Sequence, residues 1–278
     1  MLYGGVVTRR CGSWWHLGCA ALCLLLVGTM TGDVLAQGAP NKLYELRIYV
    51  AAPGKLPDLH ARFRDHTLRL FAKHGIESVY YWNMTEGAEG DDPANTLVYL
   101  VAHKDRASAD AAWKAFLADP DWQAVSRASE ANGPLLAKPP QSIFLSKVDV
   151  GVAVPPIGQG GERGRIFELR QYNVGEAGLP ETVERMRFGE AALFGKHGMQ
   201  PIEFWTAADN SAFIYLLAHK DREAAKASWQ TFFAEMRDFM AKFNARPGAP
   251  QPAPGAAPPA RPSFAVRFLT PTDYSPKY

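Results

Sequence analysis

Many residues of this chain recur at two fixed separations, and that recurrence limits what it can fold into. Tyr44-Glu45-Leu46-Arg47-Ile48-Tyr49 matches Phe167-Glu168-Leu169-Arg170-Gln171-Tyr172, Lys73-His74-Gly75 matches Lys196-His197-Gly198, and Trp82 matches Trp205, all 123 residues apart. After a shorter loop the separation becomes 116. There Ala102-His103-Lys104-Asp105-Arg106 matches Ala218-His219-Lys220-Asp221-Arg222, Trp113 matches Trp229 and Phe116 matches Phe232. Dispersed matches that share two offsets mark an internal repeat. Residues 44–149 and 167–272 therefore read as two copies of one α+β unit.

Each copy reads as strand, helix, strand, strand, helix, strand. Tyr44–Val50 alternates and is rich in β-formers. Pro53-Gly54 signals a turn. Leu56–Lys73 carries Leu59, Phe63, Leu70 and Phe71 at helical spacing, and Gly75 follows at the position that favours a left-handed residue. Val79–Trp82 and Leu97–Val101 are the next strands. Asp105 can cap the helix that carries Trp113, Phe116 and Leu117. Ile143–Val148 closes the copy, and the second copy repeats the order with strands near 166–173, 201–206, 212–217 and 264–269.

Alternation also suggests where a site would lie. On the first strand Tyr44, Leu46, Ile48 and Val50 share one face, and Glu45, Arg47 and Tyr49 the other. The apolar set is expected to pack on the helices. The Glu-x-Arg-x-Tyr set, joined by Tyr80 and Trp82, is then expected on the opposite face of the sheet. Docking the two sheets would enclose one chamber lined by Glu45, Arg47, Tyr49, Tyr80 and Trp82 and by Glu168, Arg170, Tyr172, Glu203 and Trp205.

The N-terminus has the pattern of an export signal. Arg9 and Arg10 precede the apolar run Leu17–Val27, and Val34-Leu35-Ala36 places cleavage after Ala36. The run is short for a membrane span. Thr8-Arg9-Arg10 resembles the start of a twin-arginine signal that Cys11-Gly12-Ser13 does not continue, so Sec and Tat routes both stay open. All three cysteines precede Ala36, which leaves the mature chain without thiol chemistry or disulfides. Its location is expected to be periplasmic or secreted. A formal net charge of +2 with no dense Lys/Arg cluster argues against nucleic acid. The chain therefore divides into a signal peptide over 1–36, a first domain over 41–150, a Pro/Gly linker over 151–164, a second domain over 165–272 and a tail over 273–278. Pro247–Pro262 reads as a surface loop within the second domain.

The stretches YELRIYVAAPGK, FRDHTLRLFAKHGIESVYYW and VAHKDRASADAAWKAFLADPDW resemble the NIPSNAP family. The resemblance runs over nearly the whole mature chain as two tandem domains. The second copy departs from it where Phe188-Gly189 replaces Asp65-His66, and it lacks the DPDW ending. It implies duplicated ferredoxin-like βαββαβ units forming an intramolecular dimeric α/β barrel. It implies little about chemistry, because relatives of that fold do very different things.

Candidate chemistry follows from residue types. Arg47 and Arg170 could clamp a carboxylate bidentately, with Tyr49, Tyr80, Tyr172, Trp82 and Trp205 stacking on an aromatic ligand and Glu203 beside them. The plainer reading of the Glu/Arg/Tyr set is a self-satisfied structural network. His66, placed with Phe63 and Leu70 on the apolar helix face, and Glu45 are the candidates for moving protons. His74 and His197 suit helix C-termini, and His103 and His219 could rim the chamber. No spacing points to a metal site or nucleotide cofactor, while a haem stays open because one axial histidine suffices. The leading expectation is an exported protein that binds a small hydrophobic or anionic molecule, or a protein partner, without clear catalysis. The alternatives are a cofactor-poor oxygenase or isomerase acting on an aromatic or carboxylated compound, and a structural or assembly module. Sheet edges make homo-oligomers plausible.

Overall fold

The computed structural model describes residues 42–155, 164–250 and 263–276. The expected signal peptide, its cleavage site, and most of the 151–164 linker and of Pro247–Pro262 lie outside these residues.

The order of elements is β1 (Leu43–Val50), α1 (Leu56–Arg62), α2 (Leu68–Lys73), β2 (Glu77–Glu86), β3 (Thr96–His103), α3 (Arg106–Ala118), α4 (Pro120–Ser129) and β4 (Gln141–Lys147) in the first half. The second half runs β5 (Ile166–Asn173), α5 (Gly175–Arg185), α6 (Ala191–Lys196), β6 (Gln200–Ala207), β7 (Phe213–His219), α7 (Arg222–Asn244) and β8 (Ser263–Pro271). The strands close into one antiparallel barrel in the order β1-β3-β2-β8-β5-β7-β6-β4, with β4 returning to β1.

That closure corrects the expected pairing of two ferredoxin-like βαββαβ units as an intramolecular dimer. The halves are not two sheets docked face to face. Backbone ladders join them, Asn83 opposite Thr270 and Met84 opposite Leu269 on one side, Leu145 opposite Ala207 and Lys147 opposite Trp205 on the other. The sheet is continuous, and the described residues all fall within one compact unit. Closure leaves no unpaired strand edge within the barrel, so the edge-pairing argument for oligomers falls away.

The two faces of β1 are also the reverse of the expectation. Tyr44, Leu46 and Ile48 point into the barrel, where one buried cluster draws residues from all eight strands, among them Tyr80, Trp82, Val98, Leu145, Phe167, Ile202, Trp205, Ile214 and Leu269. A small closed barrel must fill its interior with side chains, and an uninterrupted apolar set does so without stranding polar groups. Glu45, Arg47 and Tyr49 turn outward under the helices instead. There Leu59, Phe63, Leu70, Phe71, Tyr99 and Phe116 form a second core, with a third beneath the helices of the other half around Met186, Phe194, Tyr215 and Phe232. Both faces of β3 and β7 are buried, so every residue in those strands is enclosed.

Two helix details matter for the site. Between α1 and α2 a single π-turn, Phe63–Thr67, carries the Leu68 N–H back to the Phe63 carbonyl. The wider turn takes in one extra residue. Thr67 therefore lies buried where His66 was expected, and His66 is exposed. An equivalent π-turn, Met186–Glu190, joins α5 to α6 and buries Glu190. Helix α4 was not anticipated. Its signal was present, since Asp119 accepts from the Asp121 N–H and Pro120 occupies the first turn.

Candidate functional site

The repeated residues assemble two matching buried networks between sheet and helices. In the first half, Glu45 lies 1% exposed on β1. Trp113 on α3 donates its indole N–H to Glu45 Oε2 at 2.7 Å, and His103 Nε2 approaches the same oxygen at 3.2 Å. Arg47 and the Ser142 hydroxyl donate to Oε1. Arg47 also donates to the Tyr49 hydroxyl at 3.2 Å, and its guanidinium lies 4.3 Å from the Trp113 ring centre. In the second half Glu168 takes the same contacts: Arg170 at 2.7 Å, His219 at 2.8 Å and Trp229 at 2.7 Å, with Arg170 4.2 Å from the Trp229 ring. Sequence positions 123 or 116 apart thus carry the same bonds.

The electrostatics follow from this crowding. Burial alone would raise the Glu45 carboxyl. The hydrogen bond from His103, the charge of Arg47 and the hydrogen bonds from Ser142 and Trp113 outweigh it and hold the group at about 2. Glu168 is likewise lowered, burial being overcome by His219, Arg170 and Trp229. Because the carboxylate stays ionised, the His103 Nε2 facing it carries the proton.

These positions break up the expected chamber. Arg47 and Arg170 sit in separate halves, each engaged by its own glutamate, and neither faces the barrel interior. Tyr80 and Trp82 stack at 4.8 Å within the interior, and Trp205 packs against Tyr44 there, so these rings fill the barrel. Glu203 is buried near Tyr44 and pairs with Lys147. Tyr172 donates to or accepts from Tyr215 at 2.9 Å beneath the helices. His66 stands on the rim of an open depression with Lys55, Asp58 and Asp65, away from the network. Glu45 is a poor proton carrier near neutral pH, since so acidic a carboxylate is a weak base. His74 tethers the end of α2 to Asp119 at 2.6 Å, and His197 meets Glu235 at 3.0 Å, so both histidines work as helix ties.

The geometry offers another site. A cavity of about 410 Å³ opens between β1 and helices α1 to α4 of the first half. Its floor and walls are Tyr49, Phe63, Phe71, Trp113, Phe116, Leu117, Trp122 and Leu136. Its polar groups are Arg47, Arg62, Thr67, Ser126 and Glu130. Arg62 is 6% exposed, bonds Glu130 at 3.1 Å and lies 5.3 Å from the Trp122 ring centre. Its Nε has no hydrogen-bond partner among the described residues. Arg62, Thr67 and Trp122 escaped sequence reasoning. Trp122 belongs to the unrecognised α4, and Thr67 faces inward only through the π-turn. Arg170 borders a different, broad depression of about 810 Å³ with Arg222, Trp229, Phe233 and Phe264. Among the described residues no group of three or more His, Cys, Asp or Glu side chains could hold a metal ion. No described helix is long and apolar enough to cross a membrane.

The fold and site define an eight-stranded antiparallel α/β barrel with a mostly apolar cavity between sheet and helices. Residues 44–139 match the model of the NIPSNAP family. That match spans the first of the two tandem domains that the resemblance implied. No curated protein matches the chain. Among solved structures, a monooxygenase-named protein of Lactobacillus acidophilus NCFM aligns with a TM-score of 0.48 at 10% identity, covering 83% of this chain and 93% of that one. A NIPSNAP-like domain protein of Burkholderia xenovorans aligns at 0.35 with 22% identity, covering 43% and 96%. A NIPSNAP family protein of Agrobacterium tumefaciens aligns at 0.32 with 20% identity, covering 38% and 88%.

Proposed function

We propose that this protein binds a small, mainly apolar aromatic molecule in the cavity between β1 and helices α1 to α4, and that binding rather than turnover is its role. The observation that carries this reading is the cavity itself. It falls in the size range of small-molecule sites and sets a few polar groups in a wall of aromatic rings. The network of Arg47 and Trp113 beside it supports it. Glu45 accepts from Arg47, His103, Trp113 and Ser142, so it acts as part of a rigid frame rather than as a reacting group. Export rests on the Arg9–Ala36 sequence alone.

Tryptophan fluorescence tests the reading, because Trp113 and Trp122 both line the cavity. Naphthalene-2-carboxamide, an uncharged bicyclic probe, is expected to quench emission saturably and to raise the melting temperature. Ser126→Trp, which places a large ring in the cavity, should abolish both effects while leaving the fold intact by circular dichroism. Unchanged binding in that variant, or no binding in the wild type, defeats the proposal.

A further inference from the structure

The two π-turns, FRDHT and MRFGE, share only their arginine at matched positions, and the difference at the last position bears on the cavity's ligand. Arg185 lies 123 residues after Arg62, and Glu190 lies 123 residues after Thr67. In the second half the Arg185 Nε–H donates to the buried Glu190 carboxylate across its π-turn. In the first half Thr67 supplies no carboxylate, and its hydroxyl is spent on the Arg62 carbonyl at 3.1 Å. The Arg62 Nε, the same atom, has no partner among the described residues. Arg62, like Glu190, is buried, and both Arg62 and Thr67 line the cavity. Its one carboxylate contact, Glu130, is to the terminal NH1 and is made by a residue that is 41% exposed at its side chain.

A buried guanidinium with one N–H edge unsatisfied is costly, and a planar carboxylate is the group whose geometry matches it. We infer that the cavity's ligand is an aromatic carboxylate, its carboxylate bound to the Arg62 Nε edge in the place that Glu190 occupies beside Arg185. This deepens the binding reading above and rests on it. The rings of Phe63, Phe71, Trp113 and Trp122 would take the aromatic body; Arg47 lines the same cavity with its own Nε unpartnered among the described residues, but its charge is already paired with the buried Glu45, whereas that of Arg62 meets only the exposed Glu130. The protein thus holds an internal copy of the contact it makes with its ligand.

The test compares naphthalene-2-carboxylate with naphthalene-2-carboxamide on the full mature chain by calorimetry. One charge-assisted hydrogen-bonded contact in a partly buried site predicts that the carboxylate binds roughly 10-fold or more tightly. Arg62→Gln should remove that preference. Thr67→Glu should also remove it, by supplying the protein's own carboxylate, and its melting temperature serves as the folding check because the second half already tolerates this arrangement. Equal affinity for both probes in the wild type, or an undiminished preference in Thr67→Glu, overturns the carboxylate assignment while leaving the cavity reading in place. Failure of both probes to bind overturns the two together.

Discussion

Replacing Glu45 by Gln isolates what the buried network contributes to stability. The carboxylate accepts from Arg47, His103, Trp113 and Ser142. A glutamine keeps the shape but removes the charge that Arg47 faces. Two routes give the magnitude. Holding the carboxyl at about 2 rather than 4.5 is worth about 3 kcal/mol at neutral pH. Removing one partner from a buried ion pair costs about 3–5 kcal/mol. The sign follows from proton binding. The native carboxyl has the lower pKa, so the unfolded chain binds more protons between pH 4.5 and 2. The wild type should therefore hold this stability fully above pH 4.5 and lose it as pH falls through that window. Glu45→Gln has no such proton to bind. Urea unfolding followed by circular dichroism at pH 7, 5, 4 and 3 should show a gap of about 3 kcal/mol at pH 7 that shrinks to about half or less by pH 3. A gap under about 0.5 kcal/mol at pH 7, or one that does not change with pH, would refute the reasoning.

Four other substitutions separate the layers of the fold. Trp113→Phe keeps a ring on Arg47 but deletes the N–H to Glu45, and should cost about 1–3 kcal/mol in urea unfolding, with Trp229→Phe costing a similar amount through Glu168. Trp82→Ala empties part of the barrel interior and should cost about 3–5 kcal/mol, read as a lower melting temperature. His66→Ala should shift stability by less than about 0.5 kcal/mol, because the π-turn turns the imidazole outward; a loss above about 2 kcal/mol would place it in the core after all.

Much of the secondary structure was legible in the chain. The strands alternate, Gly75 takes its positive φ of 73° after α2, and the Asp105 side chain caps α3 through the Ser108 N–H. Less of the site was legible. Arg47 and Tyr49 do border the cavity, but their companions there are Arg62, Thr67, Trp113 and Trp122 rather than Tyr80 and Trp82. The miss has a specific cause. Alternation divides a strand's side chains into two sets without saying which set faces which layer. Polar content suggested an aqueous chamber for Glu45 and Arg47, whereas helix α3 brings the indole that satisfies them.

What the sequence by itself determined was local: which segments are strands and helices, and which residue types recur at matched separations. The first is written in short-range periodicity, capping chemistry and turn residues, the second in the 123- and 116-residue offsets. The tertiary structure alone decided that eight strands close into one barrel, that the apolar face of β1 fills it, and that a π-turn buries Thr67 in place of His66. Those outcomes depend on backbone ladders between distant strands and on one extra residue in a helical turn, neither of which leaves a periodic trace along the chain.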